Sequence, residues 1–401
     1  MFALYDKIKL FAPAVLLPLL IIAAGCAQDS IFDDISHEVP PTKPFIVGGP
    51  SKIIEAGGKL YVTNGRIFEY DLTGNGRWKR STSGPGGKVQ DLAADSGFLY
   101  ALSIIGTGRN FQVWQKEKDG SEWTRLTAAT EAEGYTVQSL FGTEDQLFMG
   151  ASISNGGGND YAILYKKGTE LYFLEKTNGI LSGAGKIDDV YYLGTLGSGI
   201  HMVKKDQLDP SIATPDVTAA VSVPMDAIPT RIAGFLQPTG ADYIIAASRN
   251  GYILYGTKDG FTVPTTSLGG TFTGALALTP AYTYTGSSSE PVADTMLLLI
   301  GIDGRKSYSN HGYKEVAFNI YSGVVDGEYP KEPGIGDPTS IDKNGNYVST
   351  LKKYPVTSMY ALEHISEAEP NPIMFASTPK EGLYSYRYRS NGGGWQWNHE
   401  E

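Results

Sequence analysis

Apolar residues along this chain fall in short runs separated by turns bearing glycine, asparagine and aspartate. The clearest run is Lys59-Leu60-Tyr61-Val62-Thr63. Its counterparts are Phe98–Leu102, Gln146–Gly150, Asp189–Leu193, Asp242–Ala246, Thr295–Leu299 and Pro372–Ala376. Runs this short, rich in β-branched and aromatic residues, predict strands rather than helices. Each has a strand-like run before it: Ser51–Ala56, Val89–Ala93, Val137–Phe141, Ile180–Gly183, Arg231–Leu236, Gly274–Leu278 and Thr357–Leu362. Each also has one after it: Arg66–Leu72, Asn110–Lys116, Tyr161–Lys167, Gly199–Lys204, Gly251–Gly256, Lys314–Tyr321 and Gly382–Tyr388.

The unit recurs at spacings of ~40–50 residues, widening before the last copy, which is the period of propeller blades. Several units close with a hairpin into a fourth, aromatic strand: Asp71–Trp78, Asp119–Trp123, Lys258–Phe261 and Asn391–Trp395. Asp-Gly and Asn-Gly supply the positive φ angles such turns demand, and each Trp is expected between neighbouring blades. The prediction is an all-β fold, a seven-bladed β-propeller of four-stranded antiparallel blades over residues 45–401, with six or eight blades as the alternatives. Phe45-Ile46-Val47 is the candidate strand for closing the ring on the last blade. Residues 326–354 do not repeat and read as an insertion. The hairpins resemble Asp-box turns of propeller proteins, and Tyr61-Val62-Thr63-Asn64 resembles the signature of YVTN propeller repeats.

Composition agrees with many short strands: 49 Gly, 25 Tyr and only 19% charged residues. A formal net charge of -10 argues against nucleic-acid binding, which calls for a basic stripe. A single Cys rules out an intrachain disulfide and a Cys-based metal site.

The N-terminus carries an address. Lys7 and Lys9 precede an uncharged apolar span, Leu10–Gly25, too short and too Pro-interrupted to cross a bilayer as a helix. Residues 1–25 read as a signal peptide. Ala23-Ala24-Gly25-Cys26 resembles a bacterial lipobox, and its Ala23, where Leu is commoner, resembles the relaxed lipoboxes of spirochaetes, treponemes among them. That resemblance implies cleavage before Cys26, diacylglycerol on its thiol and acylation of the new amino group. Several acyl chains on one residue exceed the two-signal threshold for stable anchoring. Residues 26–44 read as a flexible tether. Ala27, by resemblance to the enterobacterial sorting rule, favours the outer membrane. The lipid bilayer is thus the first expected partner, and the cell envelope the location.

Motifs for chemistry are sparse. Gly179–Lys186 (GILSGAGK) has the wrong glycine spacing for a phosphate loop and reads as a blade turn. Asp342–Asn346 lacks the Gly and terminal Glu of a calcium loop. Asp188-Asp189 reads as a solvated turn, since adjacent strand residues point to opposite faces. No Gly-x-Ser-x-Gly elbow occurs. Arg231, Arg249, Arg387 and Arg389 do not have the spacing of a sialidase-like triad. No catalytic residue, metal or cofactor is therefore assigned. The candidate binding feature is an aromatic–cationic strip in which Tyr384, Tyr386 and Tyr388 share one strand face, Arg387 and Arg389 take the other, and Trp395 and Trp397 lie nearby. The expected role is noncatalytic scaffolding toward an envelope protein partner, with a glycan-directed envelope hydrolase or lyase, or a surface adhesin, as the alternatives.

Overall fold

Strand-forming runs pair with their sequence neighbours, because connections that are mostly two to four residues long leave antiparallel pairing as the geometry within reach. The computed structural model describes residues 45–400 except 74–75, 107–109, 213–214, 220–230, 263–266, 269, 304–312, 320–323, 326–350, 352–353, 364–370 and 390–393. Their strands form seven separate sheets, each built on a four-stranded antiparallel meander in chain order. Blade 1 comprises Ile54–Ala56, Lys59–Thr63, Ile67–Asp71 and Trp78–Arg80. The other six begin at the inner strands Lys88–Ala94, Thr136–Gly142, Leu181–Ile187, Ile232–Leu236, Phe272–Thr285 and Ser358–Leu362. Each inner strand packs on the next, and blade 7 meets blade 1 through Tyr70, Trp78 and Phe375. The fold is a seven-bladed β-propeller.

Second strands are the most deeply buried: Leu60–Thr63, Leu99–Ser103 and Leu147–Ser152 have no exposed position. They read as near-continuous apolar runs because a blade is covered on both faces by its neighbours. The expected ring closure forms. Phe45 N donates to Glu400 O (3.0 Å), Leu383 N donates to Ile46 O (3.3 Å), and Gly48 bridges Glu381 in parallel. Trp78 sits between blades 1 and 7, its ring 5.4 Å from that of Phe375.

Two sequence readings change. The glycine-rich segment 179–186 is not a turn: Leu181–Ile187 is the inner strand of blade 4. Its glycines are required by packing, since a Cβ at Gly183 or Gly185 would lie under 3.0 Å from Phe235 or Ile244 of blade 5. Blade 3 gains an unforeseen outer strand, Glu170–Thr177, and a fifth, Thr127–Ala128, parallel to it. Of the expected insertion 326–354, only Leu351 and Tyr354 are among the described residues, and Leu351 is buried in the core between blades 6 and 7. The candidate calcium loop 342–346 lies outside the described residues, as do the signal peptide, Cys26 and the tether.

Candidate functional site

The inner strands surround a central channel of about 1240 Å³. Five of them carry a β-bulge near their start, at Val89/Asp91, Val137/Ser139, Leu181/Gly183, Ile232/Gly234 and Phe272/Leu276. A bulge bends its strand and re-aims side chains. Asp91, Ser139, Ser182 and Thr273 in the bulged stretches, and Thr63 and Ser358 outside them, aim polar groups at the adjoining blade. Thr63 Oγ1 of blade 1 donates to Val89 O of blade 2 (3.0 Å), and Asp91 accepts from Leu140 N of blade 3 (2.8 Å). Ser139 Oγ donates to Leu181 O (3.0 Å), and Ser182 Oγ donates to Ile232 O (2.6 Å). Thr273 Oγ1 donates to Val356 O, and Ile53 N donates to Ser358 Oγ (2.8 Å). Between blades 5 and 6 the backbones themselves touch: a Cβ at Gly234 would stand 2.3 Å from Gly274 O.

Charged groups in the channel are engaged in the same way. Lys52 Nζ reaches from blade 1 to Asp91 (3.0 Å), donates to Leu140 O, and sits 3.8 Å above the centre of the Phe141 ring. Asp145 is a hub, accepting from Lys186 (3.0 Å), Lys205 (2.6 Å) and Tyr191 (2.9 Å). Burial pushes the Asp145 carboxyl up, but these three donors outweigh it and hold the group below the usual aspartate range. Burial, followed by the Asp145 contact, pushes the Tyr191 phenol well above its ordinary value. Tyr360 of blade 7 donates to Glu55 of blade 1.

Meander topology sorts the turns onto two ends of the ring. Turns joining first to second strands carry Asp95, Glu144, Asp145, Asp188, Asp189 and Asp242, and among the described residues no Lys or Arg. Asp188 adopts a left-handed φ of 52° in the solvated turn expected for it. Turns joining second to third strands carry Arg66, Arg249 and Lys380, beside Glu381 and Asp303. The first-to-second turns are therefore the more acidic set.

The blade 7 strip is placed as follows. Tyr384, Tyr386 and Trp397 are buried in the core between blades 6 and 7. Tyr388 and Trp395 are half-buried, as is Arg387, and Arg389 pairs with Gly394 across the hairpin. The tyrosine face is covered by an element the sequence did not single out. Strands Phe272–Thr285 and Ser288–Ile302 of blade 6 are long enough to project past their blade as an arm. Tyr284 on this arm lies 4.5 Å from the Trp395 ring and 5.5 Å from that of Tyr386, while Trp395 Nε1 donates to Gly286 O (3.0 Å). Asn371 Nδ2 donates to Ser287 O (3.0 Å), tying the arm tip to blade 7. On the opposite strand face Arg387 donates to Ser385 Oγ (2.9 Å) and Glu400 Oε1 (3.0 Å), and its guanidinium lies 5.8 Å from the Phe375 ring. The alternation Ala281-Tyr282-Thr283-Tyr284-Thr285 was the available signal for the arm.

Among solved structures, a computationally designed protein, Ika8, is 10% identical with a TM-score of 0.42, over 86% of this chain and 99% of its own. The extracellular domain of a one-component system from B. thetaiotaomicron is 13% identical with a TM-score of 0.46, over 86% and 39%. Among curated proteins, one uncharacterized lipoprotein of Treponema pallidum (strain Nichols) is 31% identical over 140 residues, which is 34% of this chain and 28% of the relative's length. A second from the same organism is 22% identical over 426 residues, covering 98% of this chain and 100% of its own. Residues 8–222, more than half of the chain, match the TP013X lipoprotein family, so this β-propeller chain belongs to the TP013X lipoproteins, a family held to a membrane by lipid.

Proposed function

We propose that the chain is anchored through acylated Cys26 in the outer membrane and that its propeller is a noncatalytic scaffold for an envelope protein. One observation carries the reading: Lys52, Lys186, Ser139, Ser182 and Thr273, on the inner-strand wall of the channel, are occupied in holding blades together. Lys52 is taken by Asp91, Lys186 by Asp145, and Ser139, Ser182 and Thr273 by carbonyls of the next blade. Groups engaged in this way support a rigid ring rather than a proton-transfer centre, which needs an acid or base facing substrate. A rigid ring offers its mouths and rims, and the acidic mouth at Asp188 and Asp242 is the surface best suited to a basic partner patch. At blade 7, Tyr388 and Trp395 belong to the same reading as the strip members with surface left.

The test is crosslinking in intact envelopes followed by affinity capture, with the native chain beside Asp188→Asn/Asp242→Asn. Asn tolerates the left-handed φ at position 188, so the pair removes charge alone. One reproducible partner, captured less by the variant, supports the reading. Capture of no partner, or equal capture by both chains, overturns it.

A further inference from the structure

The acidic mouth has an opposite end, and the chain leaves the ring there. Phe45 and Val47 are 44% and 49% exposed, the exposed large apolar side chains among the described residues. They flank Ile46, which is fully buried, so both lie on the outward side of the ring-closing segment. Asn64 Nδ2 donates to Val47 O (2.8 Å), and the Phe45 ring lies 5.4 Å from that of Phe68. This fixes the pair at the end of the ring that bears the turns between second and third strands. Arg66, Arg249 and Lys380 are exposed on that same end.

From these placements we infer an orientation: the closing strand rests on the lipid surface, Phe45 and Val47 dip into the interface, and the basic end faces anionic headgroups. The acidic mouth then points away from the membrane. The inference rests on the Cys26 anchor proposed above. Cys26 lies nineteen residues before Phe45. Nineteen residues reach at most about 65 Å fully extended, which bounds how far the point of emergence can stand from the bilayer. Tethering turns contact by two side chains, too weak alone, into an intramolecular event at high effective concentration. Apolar side chains next to Arg and Lys form the pattern that binds interfaces, and with Glu381 and Asp303 counted this end keeps a small net positive charge, the sign that anionic lipid attracts. Acidic turns at the other end would be repelled by the same surface, so charge and hydrophobicity select one face.

The experiment uses the full lipidated chain reconstituted in vesicles of equal parts phosphatidylcholine and phosphatidylglycerol. Acylation leaves no free thiol, so Val47→Cys and, separately, Asp242→Cys each accept one nitroxide label. Collisions with a water-soluble nickel chelate and with oxygen report depth. The label at 47 is expected to lose most of its nickel accessibility on reconstitution and to gain oxygen accessibility, while the label at 242 changes little. Phe45→Ser in the Val47→Cys background is expected to restore nickel access by roughly tenfold, as loss of a buried aromatic ring dictates. Equal nickel access at 47 and 242 in floating vesicles overturns the orientation and leaves the anchor standing. Failure of the chain to float with vesicles at all overturns the anchor instead.

Discussion

The seam between blades 5 and 6 allows a clean test of how the ring is packed. Blade contact there is backbone on backbone. A Cβ at Gly234 would stand 2.3 Å from Gly274 O and 2.8 Å from its Cα. Neither neighbour is the end of a flexible side chain, so Gly234→Ala must move one inner strand against the other by about 1 Å to restore ordinary contact. Overpacking of a tight core costs about 1–3 kcal/mol, and the rigidity of both partners puts this case at the upper end. Two controls separate the clash from other glycine effects. Gly240 has φ 74° and nothing within 4 Å, so Gly240→Ala bears only backbone strain, about 1 kcal/mol. Gly157 has open space and no positive φ, so Gly157→Ala is expected to be neutral or to stabilise by about 0.4–1 kcal/mol through the unfolded state. Denaturant midpoints followed by circular dichroism should rank the variants as Gly157→Ala, Gly240→Ala, Gly234→Ala, the last about 3 kcal/mol below the first. The reasoning is refuted if Gly234→Ala is no less stable than Gly240→Ala.

Three other substitutions read different parts of the molecule. Tyr284→Ala removes the ring that lies on Tyr386 and Trp395, and should cost about 2–4 kcal/mol in unfolding and make the arm near Gly286 the first site of limited proteolysis. Asp145→Asn should cost about 1 kcal/mol at neutral pH, discounted because Lys205 is exposed. The native carboxyl is held below its ordinary range, so its contribution is complete above that range and is lost as pH falls through the folded value. The gap between native and Asp145→Asn melting temperatures should therefore shrink toward pH 3, and a gap independent of pH would contradict the hub. Cys26→Ser should move the chain from the membrane to the soluble fraction, and unchanged fractionation would remove Cys26 as the anchor.

Much of the fold was legible because blade burial is nearly two-sided. All seven second strands were visible as apolar runs; six have bounds within about four residues of the reading, as at Lys59–Thr63 and Ile373–Thr378, while that of blade 6 begins seven residues earlier, at Ser288. Outer strands were legible where an Asp-Gly or Asn-Gly turn led into Trp or Phe, so Glu170–Thr177, entered through Lys167-Gly168-Thr169, passed unseen. The inner-strand bulges were harder. Val89-Gln90-Asp91-Leu92, Val137-Gln138-Ser139-Leu140, Leu181-Ser182-Gly183-Ala184 and Ile232-Ala233-Gly234-Phe235 share a small or short residue in third place. That residue is chosen by the neighbouring blade, through a hydrogen bond or a close backbone approach, and not by its own strand. A pattern set by a partner some fifty residues away has no local period to betray it. The same holds for Gly183 and Gly185, which looked like a turn because the side chains that exclude a Cβ belong to blade 5.

The aromatic density of blade 7 follows from where the chain begins and ends within the ring. Six seams join blades that follow one another in the chain, whereas the seam between blades 7 and 1 brings together its two extremes. Among the described residues the short segment at Phe45–Gly48 crosses that seam as backbone, and loop closure over the whole propeller opposes it entropically. Side chains must supply what connectivity does not. On the blade 1 side, Phe375 packs edge-on against Tyr70 at 5.2 Å and Trp78 at 5.4 Å, and Arg387 is neutralised by the buried Glu400. On the blade 6 side, Tyr384, Tyr386 and Trp397 fill the seam and the blade 6 arm clasps them from outside. Aromatic pairs contribute ~0.5–1.5 kcal/mol each beyond the area they bury, so a cluster of this size offsets several kcal/mol of closure cost. Three tyrosines alternating with serine and arginine thus report a seam under entropic load, and what a single strand could not disclose was that the chain already provides the surface facing them.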